Sequence, residues 1–417
     1  MSMRRRPLLI IASIIVVLGI AAGLYFVLFR ETAELVVSDD PFAGIGSGLV
    51  DGEGPAEMGS GAGEEFAPRL IRITDRPVAE GVVAVNRVST TTEPVAPTSS
   101  DETASEAPTF AEVVTSDTEV RFIDRASGNI YRYRAHERSL ARISNRTMPG
   151  VQQASWTPDG SVAYARFLTG NQGAEQVATY VLPASGEGGF FLEQGLSAAK
   201  ATRTGSLFTL LSGTTGSVGS VSNSDGTNGR TLFTSLLSSL IVHPASGNFY
   251  GHTKASAFLD GYGFQISAAS GAFTRVLGPM RGLSVLPSPD GTRLLYSYLD
   301  RGTLRLAVLD TGSREVIALP LSTLTEKCVW SPTGASVYCG VPTSLLSGLP
   351  DLWYQGAMIL SDRLWRIDME SRLATLVVDP NASAGISIDA VALYTDPQED
   401  VLLFTDKHNG SLWVYDL

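Results

Sequence analysis

The sequence predicts an all-β fold, a seven-bladed β-propeller, and three observations predict it. After about residue 69 the chain consists of short apolar runs that are rich in β-branched and aromatic residues. These runs are separated by Gly, Pro, Asp and Ser turns, and almost none of them has helical periodicity. Five of the turns recur at a nearly constant interval, which is the strongest of the three observations.

The recurring turns read "TPDG", "RTG", "PASG", "SPDG" and "SPTG". Their glycines are successively 45, 42, 44 and 43 residues apart: Gly160, Gly205, Gly247, Gly291 and Gly334. A period in the low forties with four short strands per unit is typical of propeller blades. One step back reaches the region of Ser116, and the step forward meets the next turn after a long loop at 342–362. The repeats therefore sum to seven.

The last repeat supplies only three strands, which would leave an open sheet edge. We expect "RLIRIT", residues 69–74, to close the seventh blade as its outermost strand; the alternative is a frayed N-terminal segment. The turns of Gly160, Gly291 and Gly334 join first to second strands; we call the face on which they lie the bottom face, and the opposite one the top face. Because strands alternate in direction, this fourth strand would start at the bottom of the blade. The preceding chain is therefore expected to enter the propeller from the bottom face. On this prediction the top face points away from the membrane.

The N-terminus predicts a membrane anchor. Residues 8–29 carry no charge, and these 22 residues would form a helix of about 33 Å, which is enough to cross a bilayer. Arginines precede the span and acidic residues follow it, so the positive-inside rule places the N-terminus in the cytoplasm. We interpret residues 1–30 as a cytoplasmic arginine cluster and an uncleaved transmembrane helix; a cleaved signal peptide or a buried helix is the alternative. The predicted location is a bacterial inner or plasma membrane, crossed once, with the propeller outside.

Two biased segments accompany the propeller. Residues 31–68 contain nine acidic residues, eight glycines and neither Lys nor Arg, which predicts a disordered, flexible tether. The Ser/Thr-rich segment at 89–118 is expected to be a disordered insertion on the bottom face. The propeller itself is predicted to span 69–417, with the long loop at 342–362 on its top face.

The repeats resemble a known family. The segments "SWTPDGSVAYARF", "LPSPDGTRLLYSYLDRGTLRLAVLD" and "VWSPTGASVYCGV" look like the WD40-like repeats of TolB-type propellers, and the resemblance covers residues 70–417. The chain also resembles bacterial membrane-anchored propellers with one N-terminal span. This implies a binding platform, an assembly factor or, less often, an enzyme. TolB has an added domain where this chain has its anchor, so the partners of TolB are not carried over.

No catalytic motif stands out in the sequence. The net charge of −11 argues against nucleic-acid binding, which needs a basic surface. The chain lacks the Gly-x-Ser-x-Gly and His-Glu-x-x-His motifs and any cysteine pair at zinc spacing. We therefore predict no catalytic residue, no metal and no cofactor.

The best candidates for recognition are aromatic. Trp353 and Tyr354 lie in the long loop, where exposed rings would anchor a protein or glycan partner. The alternative is that both rings fold down and cap the blade. Tyr262 and His252, on neighbouring top loops, are weaker candidates for the same surface.

The two cysteines flank the "SPTG" turn. If Pro332–Ala335 form a four-residue hairpin loop, Cys328 lies directly opposite Cys339, with Cβ atoms about 4.5–5.5 Å apart. Disulfides persist outside the cytoplasm, so we predict a disulfide across the first two strands of the sixth blade. Two buried free thiols are the alternative.

Three functions agree with these observations. The first is a membrane-anchored, extracytoplasmic propeller that acts as a binding or assembly scaffold in the cell envelope. The second is an enzyme that processes envelope polysaccharide or peptide, with its site in the propeller channel. The third is a structural subunit of a larger membrane complex. Acids with raised pKa values in the channel would favour the enzyme, and a bare apolar patch around Trp353 would favour a partner protein.

Overall fold

The computed structural model describes residues 64–94, 110–170 and 175–417. The predicted anchor at 8–29 and the tether up to residue 63 lie outside the described residues, as does the centre of the predicted insertion. Within the described ranges, no helix has both the length and the apolar character needed to cross a membrane.

The described chain forms seven sheets, six with four strands and one with five. Blade 1 comprises β3 (Val83–Pro94), β4 (Phe110–Ile123), β5 (Ile130–Arg134) and β6 (Ser139–Arg142). Blade 2 comprises β7 (Val151–Trp156), β8 (Val162–Thr169), β9 (Gln176–Pro183) and β10 (Phe190–Phe191). Blade 3 comprises β11 (Leu196–Ala201), β12 (Leu207–Gly213), β13 (Gly216–Ser222) and β14 (Arg230–Ser235). Blades 4 and 5 comprise β15 (Leu240–Pro244), β16 (Asn248–Thr253), β17 (Asp260–Ser267), β18 (Phe273–Arg281); and β19 (Ser284–Pro287), β20 (Arg293–Asp300), β21 (Thr303–Asp310), β22 (Val316–Ala318).

The remaining strands form the last two blades. Blade 6 comprises β23 (Cys328–Trp330), β24 (Ser336–Pro342), β25 (Asp362–Asp368) and β26 (Ala374–Val378), and blade 7 comprises β27 (Ala390–Thr395), β28 (Val401–Asp406), β29 (Leu412–Asp416), β2 (Leu70–Arg72) and β1 (Glu64–Ala67). A 3₁₀ turn (Thr325–Lys327) precedes β23, and two short helices follow: α1 (Asp351–Tyr354) and α2 (Pro380–Ala384). The predicted all-β, seven-bladed propeller is confirmed.

The ring closes as the sequence predicts. β2 pairs antiparallel with β29, with Ile71 opposite Val414, so the start of the domain completes its last blade. Apolar side chains from blades 7 and 1 share one buried cluster across the closure, including Ile71, Val414 and Phe122. The hydrophobic core continues between other neighbouring blades in the same way, since each sheet buries both faces against its neighbours.

β1 adds a fifth strand to blade 7, within the segment that the sequence predicts to be tether. It pairs antiparallel with β2, from Glu64 opposite Arg72 to Ala67 opposite Leu70. The ring of Phe66 lies 5.0 Å from that of Trp413, and the Arg72 guanidinium lies 4.8 Å from the Phe66 ring. These contacts stabilise β1, a strand that the acidic, glycine-rich composition of the segment did not predict.

This fifth strand reverses the direction of entry. β2 runs from bottom to top, so the antiparallel β1 runs from top to bottom, and the described chain enters blade 7 from the top side at Glu64. The prediction that the chain enters from the bottom is wrong because it assumed four strands in this blade.

Blade 1 carries a long hairpin at the bottom. β3 and β4 pair continuously from Val83 opposite Arg121 to Pro94 opposite Phe110. The sequence analysis assigned 89–118 to a disordered insertion, but both ends of that segment are strands, in agreement with their Thr and Val content. Residues 95–109 lie outside the described ranges.

Candidate functional site

The long loop at 343–361 folds down onto the top of the ring. Trp353 is only 5% exposed, and its Nε1 donates to Asp389 Oδ2 at 3.0 Å. The neighbouring Tyr354 is half-buried and donates its hydroxyl hydrogen to Glu326. Of the two alternatives for these rings, the structure has the one in which they cap the blade.

A buried ion cluster fastens this loop. The ammonium of Lys327 is fully buried and contacts two carboxylates, that of Asp362 at 2.7 Å and that of Asp389. The ammonium of Lys407 lies 3.5 Å from the centre of the Trp353 ring and donates to the Trp353 carbonyl. Trp353 therefore lies between charged groups from three parts of the chain, and its role here is structural.

The carboxylates of the cluster accept backbone hydrogen bonds as well. Asp362 Oδ2 accepts from the amide of Ala390 at 2.7 Å, and Asp389 Oδ2 accepts from the amide of Leu360 at 2.9 Å. Burial nevertheless raises the pKa of Asp362 to about 6, against the lowering effect of Lys327. Its Oδ1 has no hydrogen-bond partner within the described part of the chain.

The loop also reaches blade 4. The Asp351 carboxylate accepts from the Ser256 hydroxyl at 2.9 Å and from the Ala257 amide at 2.7 Å. Both residues lie in the top loop at 254–259, so the centre of the long loop reaches across blade 5 and is bonded on one side to blade 4 and on the other to Asp389.

Apolar side chains stand exposed on these two joined loops. Phe258 and Leu259 are 76% and 71% exposed. We call the exposed set the top apolar surface; its members are Phe258, Leu259, Leu345, Leu346, Leu352 and Ile359. This is the apolar patch near Trp353 that the sequence analysis associates with a partner, although Trp353 itself is not part of it.

The channel gathers titratable groups from several blades. Burial raises the pKa of Glu80, which is still accessible to solvent, and lowers the pKa of Lys200 to about 8. Burial also lowers the pKa of His243 well below its usual value, and the charge of Lys200 adds to this effect. The rings of His243 and His252 are parallel, 5.8 Å apart. The channel thus combines an acid, an amine and two imidazoles that are neutral at pH 7.

The weaker sequence candidates lie on adjacent strands of blade 4, where His252 pairs with Gly263 and the Tyr262 amide donates to Thr253 Oγ1 at 3.1 Å. His252 is buried, and its Nδ1 lies 3.0 Å from the carbonyl oxygen of Thr253, so Nδ1 carries the proton. Tyr262 lies at the start of β17 with the Arg275 guanidinium 6.0 Å from its ring centre. Across the described ranges, no group of three or more His, Cys, Asp or Glu side chains is arranged to hold a metal.

A cavity of about 460 Å³ opens at the bottom of the channel, and residues from all seven blades line it. Its aromatic members are Trp156, Trp330 and Tyr394, and Arg203 is the only charged residue of the lining. Prolines from the strand ends and turns complete the wall: Pro158, Pro244, Pro287, Pro289, Pro332 and Pro397. This cavity was not predicted from the sequence, although the prolines of the repeated turns were a signal for it.

The two cysteines form the predicted disulfide. Cys328 lies opposite Cys339 in the β23–β24 pair, as the hairpin register requires, and their Cα atoms are 4.1 Å apart. Cys328 also lines the bottom cavity. The bond therefore ties one wall of the cavity to the next strand of blade 6.

Comparisons with known proteins agree on the fold. No protein-family model and no curated protein sequence matches the chain. An oligogalacturonate lyase in complex with manganese is similar at 12% identity, over 81% of this chain and 98% of the lyase, with a TM-score of 0.50. The chain is a seven-bladed β-propeller. The seven blades confirm the fold that the TolB-type resemblance implies.

TolB structures show the same kind of distant similarity. TolB from Acinetobacter baumannii shares 11% identity over 69% of this chain and 78% of its own, with a TM-score of 0.42. A putative TolB from Agrobacterium tumefaciens shares 16% identity over 60% of this chain and 88% of its own, with a TM-score of 0.41. At such identities the likeness concerns fold alone.

Proposed function

We propose that this protein is a membrane-anchored, extracytoplasmic propeller that acts as a binding scaffold in the bacterial cell envelope. The observation that supports this proposal best is the bottom cavity. Its volume of about 460 Å³ is within the range of ligand pockets, roughly 300–1,000 Å³. Its walls come from inner strands of a closed ring, so little conformational entropy is lost when a partner binds.

The chemistry of the cavity favours recognition over catalysis. Its lining has neither a carboxylate nor an imidazole, so it offers no general acid or base of the usual kinds. Proline and aromatic rings favour apolar groups, and Arg203 adds one guanidinium. We infer that the partner inserts an apolar protein segment with a carboxylate near Arg203; a glycan that stacks on the aromatic rings is the alternative partner.

Site-specific photocrosslinking in cells would test this proposal. A photoreactive amino acid at Thr202, in the cavity lining, should give a discrete adduct, whereas one at Thr375, on the outermost strand of blade 6, should not. The substitution Val329→Trp fills the cavity and should abolish the adduct. Val316→Trp, on an exposed outer strand, is the matched control and should leave it unchanged. An adduct that survives Val329→Trp in a folded protein would contradict the proposal.

One observation favours the enzyme instead. The pKa values of Glu80 and Lys200 are shifted towards each other within the channel, a pattern that is common at catalytic sites. Such a site would process envelope polysaccharide or peptide. The cluster mixes an acid, an amine and imidazoles, and is not the carboxylate pair that glycoside hydrolysis normally uses. Turnover of envelope polysaccharide or peptide that is lost in Lys200→Met and kept in Lys254→Met, at an exposed lysine, would establish this second function.

The third possibility, a structural subunit of a larger membrane complex, predicts a stable assembly. Native electrophoresis of gently solubilised membranes distinguishes it from a scaffold that binds its partner reversibly. A single large species that survives dilution would favour the subunit.

A further inference from the structure

We propose that the top apolar surface contacts the lipid bilayer, so that the propeller lies on the membrane with its top face down. This inference rests on the anchor of the proposed function. The contact would be a second, peripheral one besides the membrane span, and it would leave the bottom face free to bind a partner.

The first support is the chemistry of the surface. Six aliphatic or aromatic side chains are exposed on two loops, and Phe258 and Leu259 are adjacent. Soluble monomers rarely leave apolar groups clustered in this way, and such clusters mark protein or membrane contacts. Phe and Leu side chains on a protruding loop suit the boundary between headgroups and acyl chains.

The second support is that the surface is held in place. Asp351 ties the long loop to Ser256 and Ala257, next to Phe258, and Trp353 is bonded to Asp389 beneath it. These bonds hold the loop against the ring. Leu349 and Leu360 of the loop pack with Trp353 in a buried cluster, whereas its other leucines remain exposed. Little conformational entropy of the loops is therefore lost when the surface contacts the bilayer.

The third support is the direction of the chain. The described residues begin at Glu64 and enter blade 7 from the top side. The predicted membrane span ends at residue 29, which leaves 34 residues before Glu64. If these residues form the flexible tether that the sequence predicts, their root-mean-square reach is about 30 Å, and the top face is the face nearest to the bilayer.

The charges around the surface are nearly balanced. Exposed cations at Lys254, Arg281 and Arg301 face exposed carboxylates at Asp260 and Asp300 on neighbouring top loops. Apolar insertion, and not attraction to anionic lipid, is therefore the main contribution to the contact. The contact should depend only weakly on the fraction of anionic lipid.

A depth measurement tests the inference on the full-length protein in vesicles of phosphatidylcholine and phosphatidylglycerol. The native cysteines are joined in a disulfide, so Leu346→Cys carries a single environment-sensitive fluorophore. Ser246→Cys, in the exposed bottom turn between β15 and β16, is the matched control. Lipids with a quencher on the acyl chain should quench the top probe at least about threefold more than the bottom probe. The double substitution of Phe258 and Leu259 to Asp should remove the difference without lowering the unfolding temperature.

The outcomes separate this inference from the proposed function. If carbonate extracts the protein from membranes, the anchor is wrong and the proposed function fails with it. If the protein stays in the membrane and the two probes are quenched equally, only the present inference is overturned. Crosslinking of the top probe to another protein, or to a second copy of this chain, would also overturn it.

Discussion

Removal of the Lys327 ammonium should destabilise the propeller strongly. This ammonium is fully buried and contacts two carboxylates, those of Asp362 and Asp389, both of which are also buried. Lys327→Met leaves both carboxylates without their cation, and breaking a buried ion pair on one side typically costs about 3–5 kcal/mol of unfolding free energy. With an unfolding entropy of about 2.1 cal/mol/K per residue over the described residues, the unfolding temperature should fall by roughly 4–7 °C.

The loss should depend on pH in a defined direction. Burial outweighs the charge of Lys327 and raises the folded-state pKa of Asp362 to about 6, above its ordinary value. The folded protein thus binds this proton more tightly than the unfolded chain, and the stability from this group is lost as pH rises through about 6. Without Lys327 the pKa of Asp362 rises further, because the one cation that lowers it is gone, so the destabilisation should be smaller at pH 5 than at pH 8.

Thermal unfolding followed by tryptophan fluorescence measures both effects. Lys254→Met removes an exposed lysine on the same face and should change the unfolding free energy by less than about 0.5 kcal/mol. Lys327→Met combined with Asp362→Asn should recover part of the loss, because one unpaired charge is removed. A loss below about 1 kcal/mol, or one equal at pH 5 and pH 8, would refute the assignment of Lys327 as the counter-ion of this cluster.

Three further predictions concern the ends and the cysteines. Cys339→Ser should lower the unfolding free energy by at most about 3 kcal/mol, since the bond closes a loop of 11 residues, and envelope-purified protein should have no alkylatable thiol before reduction; two free thiols would contradict the disulfide. Deletion of residues 1–63 should leave a soluble ring, whereas deletion of 1–74 should expose the edge of β29 and cause aggregation on size exclusion; equal behaviour of the two would contradict the closure of blade 7 by β2. Protease added to intact spheroplasts should cut within 31–63 and release a compact fragment, and protection of that segment would contradict the predicted topology.

The blade repeat and the disulfide could be predicted because their causes are local. A turn of fixed length sets the register of the strands on either side of it, so Cys328 and Cys339 are paired by the "SPTG" loop alone. The closure of blade 7 by β2 followed from counting strands, since a blade with three strands needs a fourth. β1 could not be found in this way. Its composition is that of a tether, and the strand is held by Trp413 and by an ion pair from Glu65 to Arg138 in another blade.

The buried ion cluster could not be predicted because its members are far apart in sequence. Lys327, Trp353 and Asp389 lie in three different connections, Asp362 begins β25, and no spacing links them. One signal was present: the chain has only four lysines. Lys200, Lys327 and Lys407 belong to the channel or the ion cluster, and only Lys254 is exposed. In a chain that otherwise uses arginine, these three lysines lie where a compact ammonium fits and a planar guanidinium does not.

The bottom cavity and the top apolar surface lie on opposite faces of the ring, and removal of the disulfide should affect one and not the other. Cys328 lines the bottom cavity, and the top apolar surface belongs to loops that are fastened by the Asp351 and Lys327 contacts on the other face. Cys339→Ser removes a constraint between the two inner strands of blade 6 and touches none of the top contacts. We therefore expect this substitution to weaken the Thr202 crosslink while the quenching of a probe on the top face is unchanged. If the substitution abolished both the Thr202 crosslink and the quenching of the top probe, blade 6 would transmit strain from one face to the other. Binding in the cavity and contact with the membrane would then be energetically coupled.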